Sequence, residues 1–263
     1  MAASYRRSTQ PLTGSERDQV RPFLEADPVG NAVVWNRAFQ LSDYRDVYTD
    51  GLPPKAVLAM AKPQWASGAT GIAMHAVDAP AARELIPAVP PGPAFLHLTE
   101  EWQLPLFEAK AEEMQARTAW LFALDKEDFV DQQTHEVRPL TPEWAAMIAK
   151  VWEPDWPGEP YVRSRIEAGH AYGVYEEGKP VAWALTHFET ERVSMMGFLH
   201  VVEAYRGKGY AKSVGSALIK DILARGKIPA LHVYVDNVAS LQLTPALGFH
   251  KVKRQVWADA VFR

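Results

Sequence analysis

The sequence predicts an α/β protein, and three adjoining stretches carry that prediction. Residues 195–202 are nearly all apolar, which is typical of a buried strand. A turn with two glycines, Gly207 and Gly209, follows, and apolar side chains then recur at three- and four-residue steps, the pattern of an amphipathic helix. Gly226 is placed to end that helix, and a second apolar run at 228–235 predicts another strand.

Composition bounds the class of protein. With 263 residues the chain has room for one or two domains, and 48% hydrophobic with 23% charged residues is an ordinary globular balance. A formal net charge of −4 gives no basic field that would favour nucleic acid, and the lack of cysteine excludes disulfides and thiolate chemistry. No apolar run suits a membrane span or a secretory signal, so we expect a cytoplasmic protein that binds neither nucleic acid nor membrane.

Residues 1–128 are predicted to form a first domain of mixed helices and strands. Ser15 is a good N-cap for its first helix, and Asp-Pro-Val-Gly at 27–30 ends that helix. The proline-rich segment 87–93 marks a rigid exposed turn. The predicted order is helices 15–27 and 31–41, strands 46–48, 56–61 and 71–77, helix 79–86, strand 94–98, helix 104–112 and strand 116–124.

A polar stretch, 126–135, is the predicted linker to a second domain at 136–263. Thr141, with Glu143 close behind it, is placed to cap a helix, and Glu-Glu-Gly-Lys at 176–179 is placed to turn a hairpin. The predicted order is strand 136–140, a helix through 151, helix 161–167, strands 170–175, 181–188 and 193–202, the helix before 226, strand 228–235, a short helix after 237, and strands 250–257 and 260–262.

The two-glycine turn has the features of a phosphate site. Without a Cβ atom, Gly207 and Gly209 let backbone N–H groups approach an anion closely. The first turn of the following helix offers unpaired N–H donors and a partial positive charge, to which Arg206 and Lys208 add full charges. The alternative is a glycine-rich turn that only starts a helix.

The order of motifs after residue 199 resembles the GNAT (GCN5-related) N-acyltransferase superfamily. Arg-Gly-Lys-Gly-Tyr-Ala at 206–211 is followed by a helix, a strand, Asn237-x-x-Ser240 and Leu-Gly-Phe at 247–249. Gly-Lys-Ile-Pro at 226–229 makes the glycine N-acyltransferase-like branch the nearest. The resemblance covers roughly 136–263.

The element order of residues 1–128 is also that of a GNAT domain, but the glycine turn is missing there. The resemblance therefore implies tandem GNAT-like domains, each a mixed central sheet flanked by helices. The first, 1–128, would be diverged and without a cofactor motif, and the second, 136–263, would be the acyl-CoA-binding catalytic domain. An unrelated α+β lid is the alternative for the first.

The resemblance also implies the residues that bind acetyl-CoA or another acyl-CoA, and it implies no metal. The cosubstrate would lie between the strands at 195–202 and 230–235, with the Leu199 N–H as the donor to the thioester oxygen. Asn237 and Ser240 would hold the lower arm, unless they only cap a helix. The full implied set is the backbone of Leu199 and Val201, the amides of Gly207, Lys208, Gly209, Tyr210 and Ala211, the side chains of Arg206 and Lys212, and Asn237 with Ser240.

The general acid departs from the family pattern. Many members carry a tyrosine four residues after the serine, and this chain has Thr244 there, followed by Pro245. A threonine hydroxyl is too weakly acidic for that role, so the thiolate would leave through water or another group would serve. Tyr234 and Tyr210 are the candidates for such a group.

The general base is also open. Strand alternation predicts Leu199 and Val201 on one face with Gly197, whereas His200 would lie on the other. Glycine cannot be a base, so His187 on the preceding strand is the first choice, with a pKa near neutrality. Glu189 and Glu191 are alternatives that a solvated turn explains equally, and a structural role is the alternative for His187.

The sequence therefore predicts an acyl-CoA-dependent N-acyltransferase, an acetyltransferase by preference, that acts on the amine of a small molecule or amino acid. Transfer would be by direct attack in a ternary complex, in a monomer or homodimer. The loop 152–160, with two tryptophans and three acidic residues, suits an amine acceptor or a packed surface loop. The alternative function is a non-catalytic acyl-CoA-binding or scaffold protein.

Overall fold

The computed structural model describes residues 10–41, 45–62 and 68–263. They form two compact units: unit 1 comprises Met1–Trp120 and Lys253–Arg263, and unit 2 comprises Leu121–Val252. Residues 1–9, 42–44 and 63–67 lie outside this description.

Unit 1 has a mixed sheet flanked by helices. Its strands lie in the order β1-β2-β3-β4-β11-β5, and β3 is parallel to β4 whereas the neighbouring pairs β1–β2, β2–β3 and β4–β11 are antiparallel. Strand β2 is buried along its whole length because α3 and α4 pack against it. The elements are α1 Gly14–Asp18, α2 Arg21–Glu25, α3 Ala32–Phe39, β1 Arg45–Thr49, β2 Ala56–Ala61, β3 Thr70–Ala76, α4 Ala79–Leu85, β4 Gly92–Leu98, α5 Leu104–Glu108, most of β5 Ala111–Ala123 and most of β11 His250–Phe262.

Unit 2 repeats this plan, with the strand order β6-β7-β8-β9-β10-β5 and parallel pairing of β9 with β10. Helices α6 and α7 cover one face through a core that includes Trp183 and Phe198. Helix α8 packs against β7, β8, β9 and β10. The elements are β6 Arg138–Pro139, α6 Ala145–Trp152, α7 Glu159–Glu167, β7 Ala171–Glu176, β8 Lys179–Glu189, β9 Val193–Val201, α8 Tyr210–Ala224, β10 Ile228–Tyr234 and α9 Val238–Ala246.

The compact units differ from the predicted halves, 1–128 and 136–263, at two places. The chain passes from unit 1 to unit 2 inside β5, before the polar stretch 126–135. The end of β11 joins unit 1 because it pairs with β4 from Val256↔Leu98 to Phe262↔Gly92.

Several elements also differ from the predicted ones. The helix predicted at 15–27 is two short helices, because Pro22 has no N–H to continue the hydrogen-bond pattern. The strands predicted at 250–257 and 260–262 are one strand, β11. The helix predicted at 104–112 ends at Glu108, and β5 begins at Ala111.

Strands β9 and β10 separate along their length. Their parallel pairing runs from Val193↔Ile228 to Met196↔Leu231, yet both strands continue past it, to Val201 and Tyr234. The result is a cleft between the two strand ends.

The matching strands in unit 1 stay together. Strands β3 and β4 pair from Thr70↔Ala94 to Met74↔Leu98, and the Thr99 N–H continues the ladder to the Met74 carbonyl at 3.1 Å. Unit 1 therefore has no cleft between these two strands.

The helices that follow β3 and β9 begin differently. Helix α4 is capped by Asp78, whose carboxylate accepts a hydrogen bond from the Ala81 N–H at 2.8 Å. Helix α8 follows Gly209, which has a φ of +85° and no side chain with which to cap the helix. A carboxylate of the chain itself thus occupies the helix start in unit 1, while the start in unit 2 is left to backbone N–H groups.

Candidate active site

A β-bulge in β9 lies where the cleft opens. Gly197 pairs with Leu185 and His200 pairs with Trp183, so Phe198 and Leu199 together oppose Ala184. Phe198 has a φ of +50°, which is uncommon for a residue with a side chain. A bulge of this kind redirects the side chains that follow it.

The bulge overturns the predicted arrangement of faces. A Cβ atom on Gly197 would overlap the His187 ring, and Phe198 packs against aromatic residues of α6 and α7, so both point to that face. The Leu199 side chain points the other way, 3.7 Å from the position of a Cβ on Gly215 of α8. The prediction that Gly197 and Leu199 share a face is therefore wrong.

His200 returns to the face of His187. Its ring stacks on Trp183 at a centroid distance of 4.8 Å, and Trp183 belongs to the core under α6 and α7. The exclusion of His200 by strand alternation was wrong because that alternation breaks at Phe198. Burial lowers the pKa of His200, and the charge of Arg206 lowers it further.

The backbone of β9 faces the cleft at Val201. The Val202 N–H donates to the Val181 carbonyl at 2.9 Å, so the N–H and C=O of Val201 point away from β8. Leu199 lies within the bulge, where alternation does not apply, and the direction of its N–H stays a prediction. Arg206 Nε donates to the Val201 carbonyl at 3.2 Å.

The glycine turn lies at the start of α8. Gly207 and Gly209 have φ values of +78° and +85°, in the region that favours glycine. A Cβ on Gly207 would have nothing within 4 Å, so its backbone is open to a ligand. Arg206 and Lys208 are exposed beside it, while Lys212 Nζ donates to Gln132 Oε1 at 3.4 Å.

The hydroxyls of Thr244 and of Tyr210, one of the two predicted acid candidates, are engaged elsewhere. The Tyr210 hydroxyl donates to Glu176 Oε1 at 2.5 Å, and that hydrogen bond raises the pKa of Tyr210. The Thr244 hydroxyl is buried and donates to the Ser240 carbonyl at 2.8 Å. Neither hydroxyl proton is placed for a leaving thiolate, whereas Tyr234 lies half-buried at the end of β10, beyond the last β9–β10 pair.

Asn237 and Ser240 form the predicted helix cap. Asn237 is the N-cap of α9, and its side-chain oxygen accepts from the Ser240 N–H at 3.1 Å. Both residues are at least partly exposed at the end of the cleft strand β10. The cap uses the side-chain oxygen of Asn237 and not its amide N–H groups.

His187 lies in an aromatic enclosure. Its ring centroid is 4.5 Å from Phe198 and 5.9 Å from Trp152, and the Tyr161 hydroxyl donates to the His187 carbonyl at 2.6 Å. Burial lowers the pKa of His187 to about 3, with smaller contributions from the charges of Arg165 and His232. A pKa this low favours the neutral imidazole at pH 7 and departs from the pKa near neutrality that was expected for this histidine.

Glu189 belongs to an ion-pair network at the C-terminal end of β8. It accepts from Arg225 at 2.6 Å, from Lys227 at 2.9 Å and from Ser194 at 2.7 Å. Desolvation raises the pKa of Glu189, but these three hydrogen bonds together outweigh it and lower the pKa to about 2. A carboxylate held in this way stabilises the fold and is not placed to act as a base. Glu191, the other alternative, is exposed on the adjoining turn.

We expect Glu189→Gln to lower the free energy of unfolding by about 2 kcal/mol at pH 7, because Arg225 and Lys227 lose their shared anion. Glu189 ionises with a lower pKa in the folded state, so its stabilisation is complete above the unfolded pKa of about 4.3 and fades as pH falls towards 2. The difference between wild type and variant should therefore shrink below that pH in urea unfolding. Glu167→Gln, at an exposed helix end, is the control; an equal loss there would contradict the assignment.

One group in the described ranges brings three possible metal ligands together. Asp125, Asp128 and His250 place one ligand atom each within 4.8 Å of one another, and all three residues are exposed. Exposed acidic groups at this spacing also occur without metal, so we assign it no role.

Comparisons with known proteins bear on the fold that carries this site. The FR47-like protein family matches residues 171–258, which contain β9, the glycine turn, α8 and β10. No curated protein matches the chain in sequence. No helix within the described ranges is long and apolar enough to cross a membrane.

Solved structures match over almost the whole chain at low identity. A Drosophila protein has a TM-score of 0.74 at 16% identity, covering 97% of this chain and 99% of its own. A GCN5-related N-acetyltransferase from Sphaerobacter thermophilus has a TM-score of 0.62 at 12% identity, covering 97% and 95%. A tandem GNAT protein from the clavulanic acid biosynthesis pathway has a TM-score of 0.56 at 13% identity, covering 95% and 97%.

None of these similarities names the glycine N-acyltransferase-like branch, which stays a prediction. The assignment of a GNAT superfamily fold rests on two matches, a family model that matches in sequence and solved structures that match in fold. The chain thus has the fold of the GNAT superfamily, and its FR47-like segment is the part that carries the cleft and the glycine turn.

Proposed function

We propose that this protein is an acyl-CoA-dependent N-acyltransferase whose cosubstrate site lies in unit 2. The observation that carries the proposal is the cleft between β9 and β10, which opens beside a helix start without a side-chain cap. A cleft lined by backbone groups suits a pantetheine arm, and the helix start suits a pyrophosphate.

The residues present fit such a cosubstrate. Gly207 is open to approach, and the exposed Arg206 and Lys208 lie beside the first-turn amides of α8. The N–H and C=O of Val201 point away from β8 into the cleft, and the Leu199 N–H, in the bulge where the cleft opens, would stabilise negative charge on a carbonyl oxygen. The bound acyl-CoA would supply an activated thioester.

The acceptor amine would approach from the face of α6 and α7. Trp152 is 48% exposed and lies 4.6 Å, between ring centroids, from the buried Phe198 at the bulge. Trp156 stacks on the same phenyl ring, and Glu153 on the adjoining loop is exposed. Aromatic faces with a nearby carboxylate attract an ammonium group before it loses its proton.

Transfer would be direct. The ammonium first loses one proton to water, because the half-buried His187 is too weak a base to hold it at neutral pH. The amine nitrogen then forms a bond to the carbonyl carbon, the C–S bond breaks, the nitrogen loses its second proton to water, and the leaving thiolate takes up a proton from water.

For His187→Gln we expect the pH dependence of kcat/KM for the amine to be unchanged between pH 6 and 8. The parent imidazole is already neutral there, so the amine's own pKa sets the profile. Initial rates with two amines of different pKa test this, since the inflection should move with the amine. An inflection near 6.5 that disappears only in the variant would restore His187 as the base.

A non-catalytic acyl-CoA-binding protein is the second candidate. It is favoured by the engaged hydroxyls of Tyr210 and Thr244 and by the low pKa of His187. Thiol release from acetyl-, propionyl- and benzoyl-CoA, measured against a panel of amines, separates the two functions. Stabilisation by CoA without release with any amine supports the binding protein.

We also propose that unit 1 is a diverged GNAT-like domain without a cosubstrate site. The continuous pairing of β3 with β4 and the Asp78 cap of α4 support this. Calorimetric titration should then give one CoA per chain, and two equivalent sites would contradict it.

A further inference from the structure

The stretch predicted as a linker is fastened to α8. The strap, defined as residues 131–135, donates backbone N–H groups to two buried serine hydroxyls of that helix. Ser216 accepts from Gln132 at 2.9 Å, and Ser213 accepts from Thr134 at 3.1 Å and His135 at 3.3 Å. Since Ser213 and Ser216 are three residues apart, they form one polar row along which the strap lies.

The strap ends on the glycine turn. His135 Nε2 lies 2.8 Å from the Lys208 carbonyl, and because a carbonyl oxygen only accepts, the imidazole must donate there. The His135 ring also meets Tyr210 edge-on at a centroid distance of 4.6 Å. A Cβ on Gly209 would lie 3.7 Å from both His135 Nε2 and Thr134 Oγ1.

This contact fixes the orientation of one peptide group. In a planar trans peptide the C=O and the following N–H point in opposite directions. When His135 holds the Lys208 carbonyl towards the strap, the Gly209 N–H must point away from it. A peptide next to glycine turns over easily, since glycine accepts both signs of φ, so the turn needs an external hold.

We propose that His135 is a positioning residue, which locks the Lys208–Gly209 peptide so that the Gly209 N–H faces a phosphate group. The inference rests on the proposed function, because that phosphate would belong to the CoA cosubstrate. His135 itself contacts the turn. Ser213 holds His135 in place, because its hydroxyl oxygen accepts a hydrogen bond from the His135 backbone N–H.

The binding test uses His135→Ala and His135→Gln, with His250→Ala as the matched control on an exposed histidine of the same unit. We expect His135→Ala to raise the Kd for CoA and the KM for acetyl-CoA about tenfold, with kcat within about twofold. His135→Gln should recover most of the affinity, because its side-chain amide can donate to the same carbonyl. Equal affinity in wild type and His135→Ala would overturn the proposal.

A ligand-free measurement separates this proposal from the proposed function. In amide NMR spectra without CoA, His135→Ala should shift or broaden the Gly209 resonance, whereas His250→Ala should leave it unchanged. Ser213→Ala, which loosens the strap without touching the turn, should give a smaller change of the same kind. If wild type binds no CoA, the proposed function fails; if the Gly209 resonance is unaffected by His135→Ala, the peptide lock fails.

Discussion

Gly209→Glu is expected to abolish CoA binding, with a loss of at least about a hundredfold in affinity. The residue has a φ of +85°, so any side chain is strained there, and a Cβ would contact His135 and Thr134. The added carboxylate would stand at the first turn of α8, in the place that we assign to a pyrophosphate. Calorimetric titration and the CoA-induced rise in Tm measure the loss.

Gly226→Glu is the matched control for this substitution. Gly226 follows the other end of α8, has a φ of +70°, and would bear a Cβ with nothing within 4 Å. The two variants thus share the strain and the new charge and differ in the end of the helix that they change. If Gly226→Glu lost CoA as strongly, or Gly209→Glu kept it, the turn would not be the phosphate site.

Gly197→Ala should impair transfer to the amine by about tenfold or more while CoA affinity stays within about twofold. Its methyl group would occupy the space of the His187 ring, which Phe198 and Trp152 prevent from moving freely. We expect overpacking to lower the free energy of unfolding by about 1–3 kcal/mol as well. Steady-state kinetics with the amine varied, together with urea unfolding, measure both effects.

The double variant Gly197→Ala/His187→Ala tests the cause. Removing the ring gives the new methyl group room, so part of the lost stability should return relative to the sum of the single variants. Strict additivity of the two stability changes would show that Gly197 acts independently of His187.

The sequence was enough to predict those helices, strands and turns that depend only on residues close together in the chain. The strand, turn and helix around Gly209 are present where the apolar periodicity and the glycines indicated, and the predicted hairpin turn has positive φ at Glu177 and Gly178. A two-residue turn of this kind favours glycine at its second position, which is a signal within the sequence itself.

The faces of β9 could not be predicted, because nothing in the letters marks Phe198 as the site of a bulge. A phenylalanine with positive φ is explained by its packing against Trp152 and Tyr161, which other elements supply. The pKa of His187 depends on the same neighbours. Alternation is a rule for a regular ladder, and the β8–β9 ladder shifts its register twice, at Phe198–Leu199 of β9 and at His187 of β8.

The sequence predicts a linker at 126–135, and it misses the attachment of the strap to α8 for a related reason. Its residues are polar, and polarity alone indicates solvent exposure. What holds it is a pair of buried serines, Ser213 and Ser216, on a helix about eighty residues further along the chain. The sequence does not show which distant backbone N–H groups a serine hydroxyl on a helix face will accept a hydrogen bond from.

The start of α4 is always hydrogen-bonded within the chain, whereas the hydrogen bonding at the start of α8 depends on what is bound there. Asp78 satisfies the first turn of α4 whatever the solution contains, provided that its carboxylate is ionised. The first turn of α8, behind Gly209, must take its partners from outside the chain. The first-turn N–H groups of α8 therefore find hydrogen-bond partners only in what surrounds the chain there. The first turn of α4 has a partner within the chain, the Asp78 carboxylate.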